Sequence, residues 1–513
     1  MVEGLISEII SNLLQWQVWV FITVGVFIGL TLGAIPGLTG SMGIGIVLPF
    51  TMYMPTVHAI ALLIGIYKAS MFGGSISAIC FGTPGTPSAS ADVADGYTLT
   101  KRGQSKKAIQ VALYSSVIAD TMSDIVLIAV VVPLAKLALL FGSRELLALM
   151  FLALVTIIMF VRQSPLKGIV ALMIGFLIGT IGADPMAVVR RFTFGFRPLA
   201  SGIDLVPFVL GIFAVSEIFV QVALLLKSKA QKYADSHTKF KLSKENLTFQ
   251  ELITCWKEIL IGFVIGTFLG ALPGPGSTLA AYTSHATAAR ISKKGATFGK
   301  GALEGLSAAE AGNSATSGAT FIPLFAFGIP GSAMAGLFLG AFMLQGITPG
   351  PTMFVEHAPV MYTIFGVLII ANFFNLLVGR LLSEPYAYLA SAPRSILVPF
   401  LLILASLGVY AYHTSTFDVL LVVVIGIIGY IMRIHDYPLA PALIGFILAP
   451  MIEKHFRRMM TVNTNPLFFF ESPIAVGLFV ATIIVAIIFA YTGGIKTIKK
   501  DDIEKNTTDT DNK

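Results

Sequence analysis

Val18-Trp-Val-Phe-Ile-Thr-Val-Gly-Val-Phe-Ile-Gly-Leu-Thr-Leu32 carries no charge and runs straight into Gly33-Ala-Ile-Pro-Gly37. An apolar run of about 20 residues matches the hydrocarbon core of a bilayer. Lipid offers a spanning backbone no partners, so such a run must satisfy its own hydrogen bonds as a helix or a closed barrel. The apolar residues are continuous rather than alternating, which selects the helix. Comparable runs follow at Leu146–Val161, Leu205–Leu226, Ile396–Tyr410, Val419–Met432 and Ile474–Tyr491. Composition agrees: 56% of the 513 residues are hydrophobic, 12% are charged, and mean hydropathy is +0.85. A soluble domain carries about twice that charge. The expected fold class is an all-α integral membrane protein with about 10–12 transmembrane helices.

The net charge of +7 does not indicate nucleic acid, because the basic residues lie between apolar runs, as orientation signals of membrane loops do. Cys80 and Cys255 are too few and too isolated for a metal cluster or a disulfide framework. Residues 1–17 carry Glu3 and Glu8 instead of a basic leader, and read as an amphipathic segment that is not cleaved.

The chain repeats itself. Leu32-Gly-Ala-Ile-Pro-Gly37 returns as Leu269-Gly-Ala-Leu-Pro-Gly274, and Phe81-Gly-Thr-Pro-Gly85 as Phe327-Gly-Ile-Pro-Gly331. Pro165-Leu166 with Ile174-Gly-Phe-Leu177 returns as Pro438-Leu439 with Ile444-Gly-Phe-Ile447, and Arg190-Arg191 as Arg457-Arg458. The matches keep their order. They predict a transmembrane repeat over 18–226, a basic polar linker over 227–251, a second transmembrane repeat over 252–491 and a disordered polar tail over 492–513. The lysine-rich linker is expected on the cytoplasmic side. An odd number of crossings per half would invert the two repeats, the common design of secondary transporters.

Each half contains two apolar regions broken by Gly and Pro: Gly33–Gly45 and Gly73–Ser90, then Gly270–Thr283 and Asn313–Ser332. Such breaks are tolerated at membrane depth only where protein or a water-filled cavity satisfies the freed backbone. Half-helix N-termini then present N–H groups, and about half a positive charge, to an anion. Paired interrupted segments are the best sequence pointer to a transporter's binding site. The candidate substrate-binding residues are therefore Pro36, Gly37 and Ser41; Thr83, Gly85, Thr86 and Ser88; Gly274, Gly276, Ser277 and Thr278; and Pro330, Gly331 and Ser332. The competing reading is that small residues here simply let helices approach closely.

Charges inside apolar runs are expensive and so are functional candidates. Lys68 is a candidate partner for an anionic substrate. Asn313, Ser314, Thr316, Glu310, Asp120 and Asp124 are candidates for a coupling ion, with Na⁺ the metal expected if the ion is not a proton. Glu217 is read instead as an ion-paired or water-facing group.

At these motifs the chain resembles the large membrane subunit of the tripartite tricarboxylate transporter family. The resemblance runs through Leu32–Gly45, Gly65–Gly103 and Gly270–Pro351, including Leu272-Pro-Gly-Pro-Gly276, Glu310-Ala-Gly-Asn313 and Gly346-Ile-Thr-Pro-Gly-Pro351. It implies a multi-pass protein of a bacterial inner membrane that takes up small di- or tricarboxylates with Na⁺ or H⁺ and needs no other cofactor. It also implies two partners, a small membrane subunit and a periplasmic solute-binding protein. Two positions depart from the family's usual pattern: Lys68 stands where an uncharged residue is common, and Asn313-Ser314 replaces paired asparagines. Other function classes fit less well. Gly295-Ala-Thr-Phe-Gly-Lys300 is one residue short of a phosphate loop and lacks the following Ser/Thr, and no His-Glu-x-x-His or nucleophile elbow is present. A passive anion channel, or a stand-alone transporter of another small anion, is the remaining alternative.

Overall fold

A computed structural model describes residues 2–161, 164–184, 186–187, 189–230, 245–389 and 394–492. The central part of the linker and nearly all of the tail lie outside the described residues. The described chain is a bundle of helices. Seven are long and apolar enough to cross a membrane: Trp16–Ala34, Thr56–Phe81, Ser105–Ala138, Leu205–Leu226, Ala358–Ala387, Thr416–Ile434 and Leu439–Val462. Five shorter apolar helices accompany them, among them Gly40–Tyr53, Pro165–Gly179 and Ala333–Leu344. The chain is thus a helical, multi-pass membrane protein. Among the described residues the strands are a single hairpin of Gly182–Ala183 with Arg190–Arg191, antiparallel, with Gly182 opposite Arg191.

Local chemistry explains where the broken segments break. Helix Trp16–Ala34 stops before Pro36, which has no N–H to donate, and the chain turns at Gly37 with φ +91°. It restarts as Gly40–Val47, whose N-cap Thr39 accepts from the Met42 N–H. The second half repeats the arrangement: Trp256–Ala271 stops before Pro273, Gly274 has φ +108°, and Gly276–Ile291 follows. Thr56–Phe81 ends on a left-handed Gly82, and Phe321–Phe327 on a left-handed Gly328, the standard glycine stop of a helix.

Packing uses glycine as a spacer. Gly25, Gly29 and Gly33 press one face of Trp16–Ala34 against the backbone of Thr56–Phe81, and Gly262, Gly266 and Gly270 press Trp256–Ala271 against Leu303–Ala319. Both glycine rows stand in the same register relative to Pro36 and Pro273. The halves also interlock. Ser105–Ala138 is laced to Leu303–Ala319 by Ser115–Ser307 (2.8 Å), Ser116–Ser314 (2.7 Å) and Ser123 Oγ to the Ala315 carbonyl (2.6 Å). Pro165–Gly179 meets Leu439–Val462 reciprocally: Gly175 faces the Ala442 carbonyl and Gly445 faces the Leu172 carbonyl, each with no room for a Cβ. The arginine motifs of the two halves meet as well, since Arg191 and Arg457 share Asp184 and Glu453 over 2.6–3.4 Å.

Candidate functional site

The Gly/Pro-broken segments converge on one cavity of about 560 Å³. Its wall includes the first residues of several helices: Thr39, Gly40 and Ser41; Gly276, Ser277 and Thr278; Ser332, Ala333 and Met334; and Pro438, Leu439 and Ala440. The opening N–H groups of a helix lack intrahelical partners. Each such end carries about half a positive charge. Hydroxyls already organise two of them. Ser332 Oγ accepts from the Ala335 N–H at 3.1 Å and lies 2.8 Å from Thr320 Oγ1, while Thr39 Oγ1 lies 2.9 Å from Ser41 Oγ. Thr86 and Ser88, 3.2 Å apart, add to the hydroxyl lining.

In each half the two broken segments touch. The Gly274 N–H donates to the Gly331 carbonyl at 2.9 Å, and Gly85 donates to the Gly74 carbonyl at 3.1 Å while lying against the Gly33 carbonyl.

Of the residues singled out in the sequence, Ser41, Thr86, Ser88, Gly276, Ser277, Thr278, Gly331 and Ser332 line the cavity, as does Thr316. Pro36, Gly37, Gly85, Gly274 and Pro330 do not line it and instead form the turns that aim the lining residues. Thr83 is exposed, beyond the glycine stop of its helix. Lys68 is buried away from the cavity. Its Nζ lies 2.8 Å from Asp120 Oδ1 and 2.8 Å from Asp124 Oδ2, and Asn372 donates to Asp124 at 2.8 Å. Lys68 therefore hydrogen-bonds both carboxylates, one positive charge shared between two. Glu310, Asn313 and Ser314 form a second buried cluster with Ser75 and with Asp92, a residue the sequence did not single out.

The sequence also did not single out Arg433, the one cation among the described lining residues. Its Nη1 lies 2.6 Å from Glu217 Oε2, its Nε donates to Ser216 Oγ at 3.1 Å, and its Nη2 reaches the Phe213 carbonyl at 3.5 Å. Glu217 is thus ion-paired, one of the two roles expected for it. Phe213 belongs to a π-helical turn, Leu210–Val215, within the Leu205–Ala230 segment, a distortion that often marks functional sites. Tyr67 and Asp436 also line the cavity, so the wall mixes charge of both signs with an aromatic surface. A second cavity of similar volume, bordered by Arg102, Lys294, Lys300 and Glu304, lies among loops and holds none of the broken segments.

A multi-pass helical bundle whose interrupted helices frame a hydroxyl-bearing cavity has the build of a membrane transporter. The profile of the Tripartite tricarboxylate transporter TctA family matches residues 19–444, and the chain belongs to that family. Two relatives come from Agrobacterium vitis. One, an uncharacterized 52.8 kDa protein in the TAR-I ttuC' 3'region, is 33% identical over 487 residues, 95% of each chain. The other, an uncharacterized protein in the TAR-II ttuC' 3'region, is 36% identical over 240 residues, 46% of this chain and 98% of the relative. No solved structure matches. The family is one of transporters rather than enzymes, and the chain is a membrane subunit of such a system.

Proposed function

We propose that this chain is the large subunit of a secondary transporter that imports small di- or tricarboxylates across a bacterial inner membrane, driven by Na⁺ or H⁺. The convergence of helix N-termini, hydroxyls and Arg433 on one cavity carries this reading. Carboxylate oxygens accept hydrogen bonds only, and this wall is rich in donors. Ser41, Ser277, Thr278 and Ser332 would hold one carboxylate, and Arg433 would hold another end of the substrate. Asp436 would favour substrates that also carry a donor, such as a hydroxyl.

Transport would proceed by alternating access, with one repeat-derived unit moving against the rest. The matching motifs support two repeats, inverted if each half crosses an odd number of times, and the family's tripartite name supports a small membrane subunit and a periplasmic binding protein as partners. Uptake of labelled di- and tricarboxylates into proteoliposomes holding this chain, the small subunit and loaded binding protein tests the whole reading. Accumulation that depends on an inward Na⁺ or H⁺ gradient is expected. Equilibration without accumulation under either gradient would indicate a passive channel, and no flux of any carboxylate would reject the substrate class.

A further inference from the structure

The second cavity, of about 560 Å³, lies between two loops, one from each half of the chain, and is bordered by Arg102, Lys294, Lys300 and Glu304. Its charges do not balance. Lys294 Nζ is 2.6 Å from Glu304 Oε1, so those two cancel. Among the described residues the Arg102 guanidinium and the Lys300 ammonium have no hydrogen-bond or ion-pair partner. The loop that carries Lys300 is tied down. Asp95, wholly buried, accepts the Gly301 N–H at 2.9 Å and the Ala302 N–H at 2.8 Å, and its other oxygen lies 2.9 Å from His285 Nε2. A Cβ at Gly301 would come within 3.1 Å of Arg102 Nη1, so the guanidinium is laid across that loop. Gly295–Lys300 is no nucleotide cradle, because its Phe298 and Lys300 N–H groups donate to the Gly295 and Thr297 carbonyls. Recognition here falls to the basic side chains.

The surroundings are those of a bilayer interface. Gln104 reaches Glu245 at 3.4 Å, so the cavity lies on the face that carries the basic linker. Trp256, 54% exposed, opens an apolar helix beside the Lys294–Glu304 pair, whose charges both reach the neighbouring Cys255. Ile291, 67% exposed, ends the helix that leads into the loop. Tryptophan is enriched where hydrocarbon meets head groups. Exposed apolar surface beside an uncompensated basic pocket fits a molecule that joins a phosphate to hydrocarbon chains.

We propose that Arg102, Lys300 and Lys294 bind a phosphate group supplied by an anionic phospholipid of the leaflet on the linker side. A guanidinium takes two phosphate oxygens at once, and an ammonium adds a point charge. Basic pockets between transmembrane helices hold lipid head groups in this way. A zwitterionic lipid carries the same phosphate with a cation attached, which the two unpaired charges repel. The site is separate from the cavity framed by the broken helices and needs no transported substrate.

The purified full chain, stripped of lipid in detergent, is titrated with phosphatidylglycerol, phosphatidylcholine, glycerol phosphate and inorganic phosphate, and bound ligand is counted by native mass spectrometry. Saturable binding of phosphatidylglycerol in preference to the other three is expected. Arg102→Gln and Lys300→Gln should each weaken it by about fivefold, the effect of one basic residue near an anionic surface. Glu304→Gln releases Lys294 and should strengthen it, which general damage to the fold would not do. Lys136→Gln, at an exposed position near the far end of helix Ser105–Ala138, should leave it unchanged. Equal binding of phosphatidylglycerol and phosphatidylcholine, or binding that Arg102→Gln and Lys300→Gln leave unaltered, overturns the site. Equal affinity for glycerol phosphate or inorganic phosphate overturns the lipid as the source of the phosphate. Should the variants not fold, the wild-type chain is acylated on lysine in phosphatidylcholine nanodiscs with and without phosphatidylglycerol. The anionic lipid should protect Lys300 and not Lys136, and equal labelling of Lys300 in the two overturns the site.

Discussion

Arg433 Nη1 sits 2.6 Å from Glu217 Oε2, with the arginine side chain 25% exposed and the glutamate 6%. The cation on the cavity wall is therefore held by a buried counter-charge on a neighbouring helix and keeps only part of its surface for a ligand. Arg433→Ala should raise the KM for carboxylate uptake by about 10–100-fold, from the roughly 1.5–3 kcal/mol of a hydrogen bond to a charged group. Arg433→Lys should recover part of the loss, since a point charge remains but the planar fork does not. Glu217→Gln should bind carboxylate at least as tightly as wild type, and weaker binding would reject Arg433 as a substrate contact.

Ser332 combines a folding role with a binding role, and Ser277 carries the binding role alone. Ser332 caps its helix, whereas Gly276–Ile291 has no side-chain cap. Ser332→Ala should lower the melting temperature, with a lost N-cap costing about 1 kcal/mol. Ser277→Ala should leave the melting temperature unchanged and weaken substrate binding by several-fold. Equal uptake by wild type and Ser277→Ala would remove that hydroxyl from the site.

The glycine rows predict graded effects. A Cβ at Gly29 would strike the Ile66 carbonyl, and one at Gly270 would come within 2.8 Å of Thr316 Cα. Gly29→Leu and Gly270→Leu should therefore prevent accumulation of folded protein, read by detergent-phase size-exclusion chromatography. Gly276 has φ +65° but open space around it. Gly276→Ala should fold, at a cost of about 1 kcal/mol for the left-handed backbone.

The Lys107–Glu251 pair predicts an acid-sensitive edge to the linker. Lys107, 2.8 Å from Glu251, pushes the Glu251 carboxyl down to about 2 from its ordinary 4.5, helped by the Thr248 N–H. A depressed carboxyl contributes stability that is full above its unfolded pKa and is lost as pH falls through its folded one. Proteolytic cutting near Phe249–Thr254 should thus increase as pH drops from about 4.5 towards 2, and Glu251→Gln should show the acid-end susceptibility already at neutral pH.

Much of this was legible in the sequence because apolar run length, proline and glycine act locally. The bilayer reading and the four breaks follow from single residues and their neighbours, and so do Ser41, Thr86, Ser277 and Ser332 on the cavity wall. The rest depends on distant partners. Lys68 looked available because its counter-charges, Asp120 and Asp124, lie on another helix. Arg433 closes an apolar run, where a basic residue reads as an orientation signal until the fold carries it to the cavity. Asp92 lies in a polar stretch, and only the fold brings Glu310 to it. One signal was present and not used: the four-residue spacing of Gly25, Gly29 and Gly33, repeated at Gly262, Gly266 and Gly270, announces two close helix pairs.

The hydrogen bond from Gly274 to Gly331 joins two tips that belong to different helices. Neither tip can swing outward alone without breaking it, and neither has a side chain that could take its place. Under the proposed alternating-access reading, the two tips would therefore move together or give up this bond, at a cost of about 1 kcal/mol.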